Sequence, residues 1–270
     1  MKFSFSSVFT KLTLGVAVAA SVAGCDDPEY PTPTPATTPS TSQGRYLVVN
    51  AAPNSGSGQL VSIDNVNVTT PPAAVPYLST SGAYTTVAAG PRLLLFSTPT
   101  NLNNQLIPAR ATFGTNTTST VFLTDLPTRA ASGTDLGGVR SIVLADNLAA
   151  PAAGKAKIRF VNLATSGTYG IFVTGTSPAT SLFPVAPTRS SRGTTTTING
   201  STFNYANFIE VDARAYTLDI RSSATATPAT GTQQALTFAD GKIYTLYVRG
   251  TTASATPTST SLGISVVQHN

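Results

Sequence analysis

Tyr46-Leu47-Val48-Val49-Asn50-Ala51-Ala52 returns later in the chain as Ile158-Arg159-Phe160-Val161-Asn162-Leu163-Ala164. Both are short β-branched and aromatic runs closed by an asparagine and small residues, as expected of a strand entering a turn. The echo continues outward in order. Gln59-Leu60-Val61-Ser62-Ile63 parallels Tyr169-Gly170-Ile171-Phe172-Val173. Tyr84-Thr85-Thr86-Val87 with Leu93-Leu94-Leu95-Phe96 parallels Phe208-Ile209-Glu210-Val211 with Thr217-Leu218-Asp219-Ile220. Thr120-Val121-Phe122-Leu123 parallels Thr245-Leu246-Tyr247-Val248, and Ser141-Ile142-Val143-Leu144 resembles the stretch Gly263-Ile264-Ser265-Val266-Val267. The offset stays between about 110 and 125 residues, and a shared order at a nearly constant offset marks a duplicated unit. No window of about 11 residues carries helical apolar spacing, so the chain reads as all-β.

Each half holds about seven strands in about 105 residues, which predicts two tandem antiparallel β-sandwiches of the immunoglobulin or fibronectin kind. The predicted repeats are residues 45–149 and 150–270. Alternation assigns Tyr46, Val48, Val61, Ile63, Ile158, Phe160, Ile171, Val173, Tyr216, Leu218 and Ile220 to inward faces. Domains of this size bury enough surface to fold without disulfides. The join from Asp146 to Lys155 is short and contains one proline, so the sandwiches are expected to lie end to end with little bending. Asn50 and Asn162 fall at equivalent strand ends. Their amides are expected to satisfy backbone groups where the chain turns, with a ligand-binding role as the alternative.

Val49-Asn50-Ala51-Ala52-Pro53-Asn54, Gly90 and Ala145-Asp146-Asn147 resemble the DUF4397 family. The likeness is strongest in Ala150-Pro151-Ala152-Ala153-Gly154-Lys155-Ala156-Lys157-Ile158-Arg159-Phe160-Val161-Asn162-Leu163. The resemblance implies tandem β-sandwich units in an exported bacterial protein, and it implies no reaction, since the family has no defined biochemical role. This chain departs from the pattern in two long Thr/Ser-rich segments expected to be loops, Pro184 to Ser201 and Ser222 to Gln233.

The N-terminus speaks to address. Lys2 and Lys11 give a positive segment ahead of an apolar stretch, Leu12 to Val22, that is too short to span a bilayer, which takes about 20 apolar residues. It ends in Val22-Ala23-Gly24-Cys25, which resembles the lipobox of bacterial lipoproteins. The resemblance implies a signal peptide over residues 1–24, acylation of Cys25 and a membrane anchor there. Several acyl chains hold a protein firmly, at about 0.8 kcal/mol per buried methylene. Residues 25–44 then form a disordered linker. Its alternate prolines, Pro31, Pro33 and Pro35, favour an extended polyproline II spacer. Asp26-Asp27-Pro28-Glu29 is similar to signals that carry certain lipoproteins to the outer face of the outer membrane. An outer-membrane lipoprotein, exposed at the surface, is the expected location. Cys25 is the only cysteine, so no disulfide or free thiolate site is expected in the mature chain.

Composition narrows the chemistry. Charged residues make up only 10%, and the formal charge of +5 falls to +3 once Lys2 and Lys11 are removed. The cations are scattered singly without aromatic interleaving, which argues against nucleic-acid binding. The one histidine, His269, is next to last and expected to be frayed and solvated, so it supports neither a triad nor a metal site. Glu210 and Asp212 share a strand face as a glycosidase pair might, but two solvent-facing acids are what a half-buried strand with Ile209, Val211 and Ala213 facing inward predicts by default. Asp64-Asn65-Val66-Asn67 lacks the spacing of a calcium loop and reads as a hairpin turn. No catalytic residue, cofactor or metal ligand is therefore assigned. Phe203 and Tyr205, in a Gly-Ser-Thr-Phe-Asn-Tyr loop, are the candidate ligand contacts. The expected function is a non-catalytic structural or adhesive module of the envelope, with a surface polysaccharide or protein as partner. The alternative is a carbohydrate- or peptide-binding lipoprotein of a surface uptake system.

Overall fold

A computed structural model describes residues 42–55, 58–69, 73–98, 101–175 and 178–270. The signal segment, Cys25 and the proline-rich linker lie outside these residues. Among the described residues every regular element is a strand. The first repeat contains β1 (Gln43–Asn50), β2 (Leu60–Ile63), β3 (Val66–Asn67), β4 (Thr85–Ala88), β5 (Gly90–Thr98), β6 (Asn101–Phe113), β7 (Thr118–Thr124) and β8 (Arg140–Ala145). The second contains β9 (Lys155–Asn162), β10 (Thr168–Val173), β11 (Thr180–Ser181), β12 (Arg189–Ser190), β13 (Thr195–Ile198), β14 (Ser201–Asn204), β15 (Ile209–Asp212), β16 (Ala215–Arg221), β17 (Gln234–Thr237), β18 (Ile243–Arg249) and β19 (Gly263–Gln268).

Two sheets build each repeat. In the first their orders are β4-β1-β7-β8 and β3-β2-β5-β6. In the second the corresponding sheets run β15-β9-β18-β19 and β11-β10-β16-β17, with β12 also pairing β10 and β13-β14 forming a separate hairpin. The pairings are antiparallel but for one in each repeat. β1 runs parallel to β7, with Val48 opposite Val121, and β9 runs parallel to β18, with Phe160 opposite Leu246. These registers make Thr120 and Thr245, Phe122 and Tyr247, Tyr84 and Phe208, and Asp146 and His269 equivalent positions of the duplication.

Alternation along β1 sends Tyr46 and Val48 into the first sandwich, where they meet Val61, Ile63, Leu94, Phe96, Phe113 and Val121. Ile158 and Phe160 of β9 do the same in the second, against Ile171, Leu218, Ile220 and Leu246. The proposed inward faces are thus observed, with Val173 packed at the margin of its core.

The opposite faces of these strands are buried as well. Leu47, Val49, Phe122, Ile142 and Leu144 of the first repeat pack on Val161, Leu163, Tyr247 and Val267 of the second. The two sandwiches therefore meet inner sheet against inner sheet, and the end-to-end expectation is overturned. The reason is apolar: laid end to end, these side chains would face water. Each large one stabilises the contact by about 1.5–3 kcal/mol when buried. The described residues accordingly form one compact unit with three cores.

Candidate functional site

The junction between the two inner sheets is not wholly apolar. Arg159 of β9 takes the position equivalent to Leu47, and its guanidinium has no exposed side-chain surface. It is balanced by Asp146, the residue after β8, with Arg159 Nη2 donating to Asp146 Oδ1 at 2.5 Å. Tyr84 Oη and Thr120 Oγ1 both donate to Asp146 Oδ2 at 2.7 Å. On its other edge Arg159 Nε donates to Thr245 Oγ1 at 2.8 Å, and Nη1 donates to the carbonyl of Ala145 at 2.8 Å.

His269 closes this network and corrects the expectation of a frayed terminus. The backbone N–H of His269 donates to the Ile243 carbonyl at 2.9 Å, which ties the end of the chain beside β18. Its Nδ1 lies 2.7 Å from Tyr84 Oη and its Nε2 lies 2.7 Å from Thr245 Oγ1. The single proton on Tyr84 Oη goes to Asp146, so Tyr84 must accept from His269 Nδ1–H. Thr245, which accepts from Arg159, donates to Nε2. The ring of donors then closes around a neutral imidazole with each partner satisfied. Burial, the largest influence, lowers the His269 pKa to about 4, with the Asp146 charge opposing. The Tyr84 phenol is raised far above its ordinary value by burial and then by the Asp146 charge. The edge of Phe208, the equivalent of Tyr84, meets the imidazole at 89°, and its ring lies 4.7 Å from the Arg159 guanidinium carbon.

Directly outside this network lies an open cleft of about 830 Å³. Its walls come from the β6–β7 turn (Asn116, Thr117), the join (Asn147, Leu148), Lys157 of β9 and the segment after β14 (Asn207, Phe208). Asp146 and Phe208 form its inner boundary with the network. Local chemistry shapes the rim. Asn147 Oδ1 accepts from the Ala149 N–H at 3.1 Å, and Asn204 Oδ1 accepts from the Ala206 N–H at 2.8 Å. Both amides keep their NH2 groups for other partners. The side chains of Asn116 and Asn207 are exposed and make no hydrogen bond among the described residues. Lys157 Nζ is held on the Ala149 carbonyl at 2.6 Å.

Phe203 and Tyr205 are not exposed contacts of a loose loop. Phe203 lies on β14, opposite Thr196, and Tyr205 comes just after it, in a β13-β14 hairpin whose turn is Asn199-Gly200, with φ of 50° and 79°. Asn-Gly between alternating residues is a strong sequence signal for such a turn, and it lay inside the stretch expected to be a loop. Tyr205 is only 2% exposed, and Phe203 is partly buried. Both rings stack on the buried Arg189, with its guanidinium carbon 4.3 Å from Tyr205 and 5.6 Å from Phe203. Phe160 and Phe183 complete the cage at 4.9 Å and 5.3 Å. Burial lowers the Arg189 pKa to about 10. The rings thus stabilise an internal cation, because desolvated cation–π contacts are worth about 2 kcal/mol, and Tyr205 offers no free face to a ligand.

The remaining candidates are structural. Glu210 accepts from the Ala152 N–H at 3.2 Å, and Asp212 pairs with Lys155 at 2.6 Å. Asp64-Asn65, with φ of 49° and 67°, turns the β2-β3 hairpin as expected. Asp64 caps the Leu93 N–H at 2.9 Å. Among the described residues no three His, Cys, Asp or Glu side chains are placed to hold a metal ion together. Asn50 and Asn162 do satisfy the turning backbone. Each Oδ1 accepts from the N–H two residues on, at 3.0 and 3.1 Å, and each Nδ2 donates to a carbonyl, of Val75 and Arg189 respectively, at 2.8 Å.

Comparison with curated proteins finds no match. Residues 44–169 match the family described as Domain of unknown function (DUF4397), a span from β1 through β9 that includes Asn50, Asp146, Arg159 and Asn162. Over residues 44–169 the chain carries a DUF4397 domain.

Proposed function

We propose that this protein is a non-catalytic module of the bacterial cell envelope, anchored through acylated Cys25 and serving adhesion or architecture at the surface. The observation that carries this reading is the commitment of its titratable groups. Every carboxylate among the described residues already has an ionic or hydrogen-bonded partner within the fold. The only histidine is held neutral in a closed ring of hydrogen bonds. What remains for an outside molecule is amide, hydroxyl and partly buried aromatic surface with scattered guanidinium groups such as Arg45 and Arg110, the equipment of recognition by contact rather than of acid–base chemistry. The lipobox-like sequence and the Pro/Thr spacer support display away from a membrane.

Intact host cells treated with a protease test the reading. It predicts loss of this protein while a periplasmic control survives, and impaired attachment or aggregation when it is deleted. Protection until the outer membrane is broken, with attachment unchanged on deletion, would refute it. A polymer-binding role in uptake is favoured by one feature, the amide-lined cleft, and would show instead as a growth defect on that polymer.

A further inference from the structure

We infer that the cleft at the junction of the two repeats binds a neutral glycan segment. The inference rests on the reading of the protein as a contact module and gives that contact a place and a chemistry. The volume, about 830 Å³, suits a short oligosaccharide, within the range of small-molecule sites. Its exposed polar groups are amides and hydroxyls, with the single ammonium of Lys157. Asn116 and Asn207 present whole amides to the opening, while Asn147 and Asn204 present NH2 groups whose orientation is fixed by their own turns. An amide offers a donor and an acceptor about as far apart as neighbouring sugar hydroxyls, so such a wall matches vicinal diols.

Charge at the cleft is sparse. Asp146 is paired with Arg159 and takes three donors from inside the fold, which leaves Lys157 as the one unpaired charge on the wall, its Nζ held by the Ala149 carbonyl. An acidic chain would meet that single cation and otherwise only neutral amides and hydroxyls. Phe208 supplies an apolar patch at the inner wall, backed by Arg159 and His269, against which the C–H face of a sugar ring can lie. Because one wall comes from each repeat, the site exists only when the inner sheets are joined.

The test uses the whole chain, extracted from membranes in a detergent that contains no sugar. Binding of cellohexaose, maltohexaose and N-acetylchitohexaose is measured by calorimetric titration, with polygalacturonate and heparin fragments as acidic probes. The expected result is binding of at least one neutral hexasaccharide, weakened about tenfold or more in an Asn116→Gly, Asn207→Ala double variant with an unchanged melting temperature. Glycine is chosen at position 116 because φ there is 55°. An Asn67→Ala control on the distant β2-β3 hairpin should bind as the parent does. Failure of every neutral probe, undiminished binding by the double variant, or binding of the acidic probes alone would each overturn the inference. If deletion impairs cell attachment while the purified chain ignores all neutral probes, the glycan site falls and the adhesive reading stands.

Discussion

Asp146 and Arg159 bury a full charge pair within a small polar network between two largely apolar sheets, and the cost of that burial decides what happens when one partner is lost. A buried ion pair adds little over an apolar replacement, but a lone buried charge is expensive, at about 3–5 kcal/mol. Asp146→Ala should therefore destabilise the fold by about that amount in urea titrations, and should do so more than the exposed Asp212→Ala. His269 makes the network sensitive to acid. The unfolded imidazole binds its proton near pH 6.5, whereas the folded one waits until about pH 4. Its contribution is complete above pH 6.5 and is lost as pH falls towards 4, because the unfolded state then binds more protons. Across that window the chain should lose up to about 3 kcal/mol that a His269→Gln variant does not lose. Equal pH profiles for parent and variant would show that His269 is not held neutral. None of this was legible in the sequence. A penultimate histidine carries the signal of a frayed end, and only the pairing of β18 with β19 places it against Tyr84.

At the scale of elements, the duplicated asparagines act as plugs. Each ends the first strand of its repeat, and its buried amide ties the departing turn to a neighbouring segment: Val75 in one case and Arg189 in the other. Removing either amide leaves buried backbone groups without partners, so Asn50→Ala and Asn162→Ala should each cost about 2–3 kcal/mol in chemical denaturation. A cost below about 0.5 kcal/mol would mean that water replaces the amide freely. This role was legible, since asparagine after a strand and before small residues signals such a turn, and the repeat doubled the evidence. The β13-β14 hairpin is signalled by Asn199-Gly200, but the run of threonines around that pair has the composition of a loop and masks the turn signal. The burial of Tyr205 is hidden for a related reason. Its partner Arg189 is distant in sequence, and no local pattern marks a caged cation.

For the molecule as a whole, duplication and sandwich architecture were readable because strand patterns are local and repeat. The packing of one sandwich on the other was written more faintly, in Leu47-Val48-Val49 and in Phe160-Val161. Consecutive apolar residues on a strand mean that both of its faces are covered. That face is where equivalent positions meet: Phe122 and Tyr247, related by the duplication, lie 6.0 Å apart, as in a two-fold contact between like surfaces. Thr124 Oγ1 donating to the Leu163 carbonyl at 2.9 Å and Arg192 reaching Asp125 at 2.5 Å fasten the halves further. A charge placed in this contact should loosen both repeats together, so Val161→Asp should lower the melting temperature of the entire chain and open the cleft.

The central claim is that the two repeats form one cooperative body whose junction builds the cleft. Scanning calorimetry of the intact chain tests it most directly. A single transition whose van't Hoff and calorimetric enthalpies agree is the predicted result. Two separable transitions, one for each repeat, would contradict it.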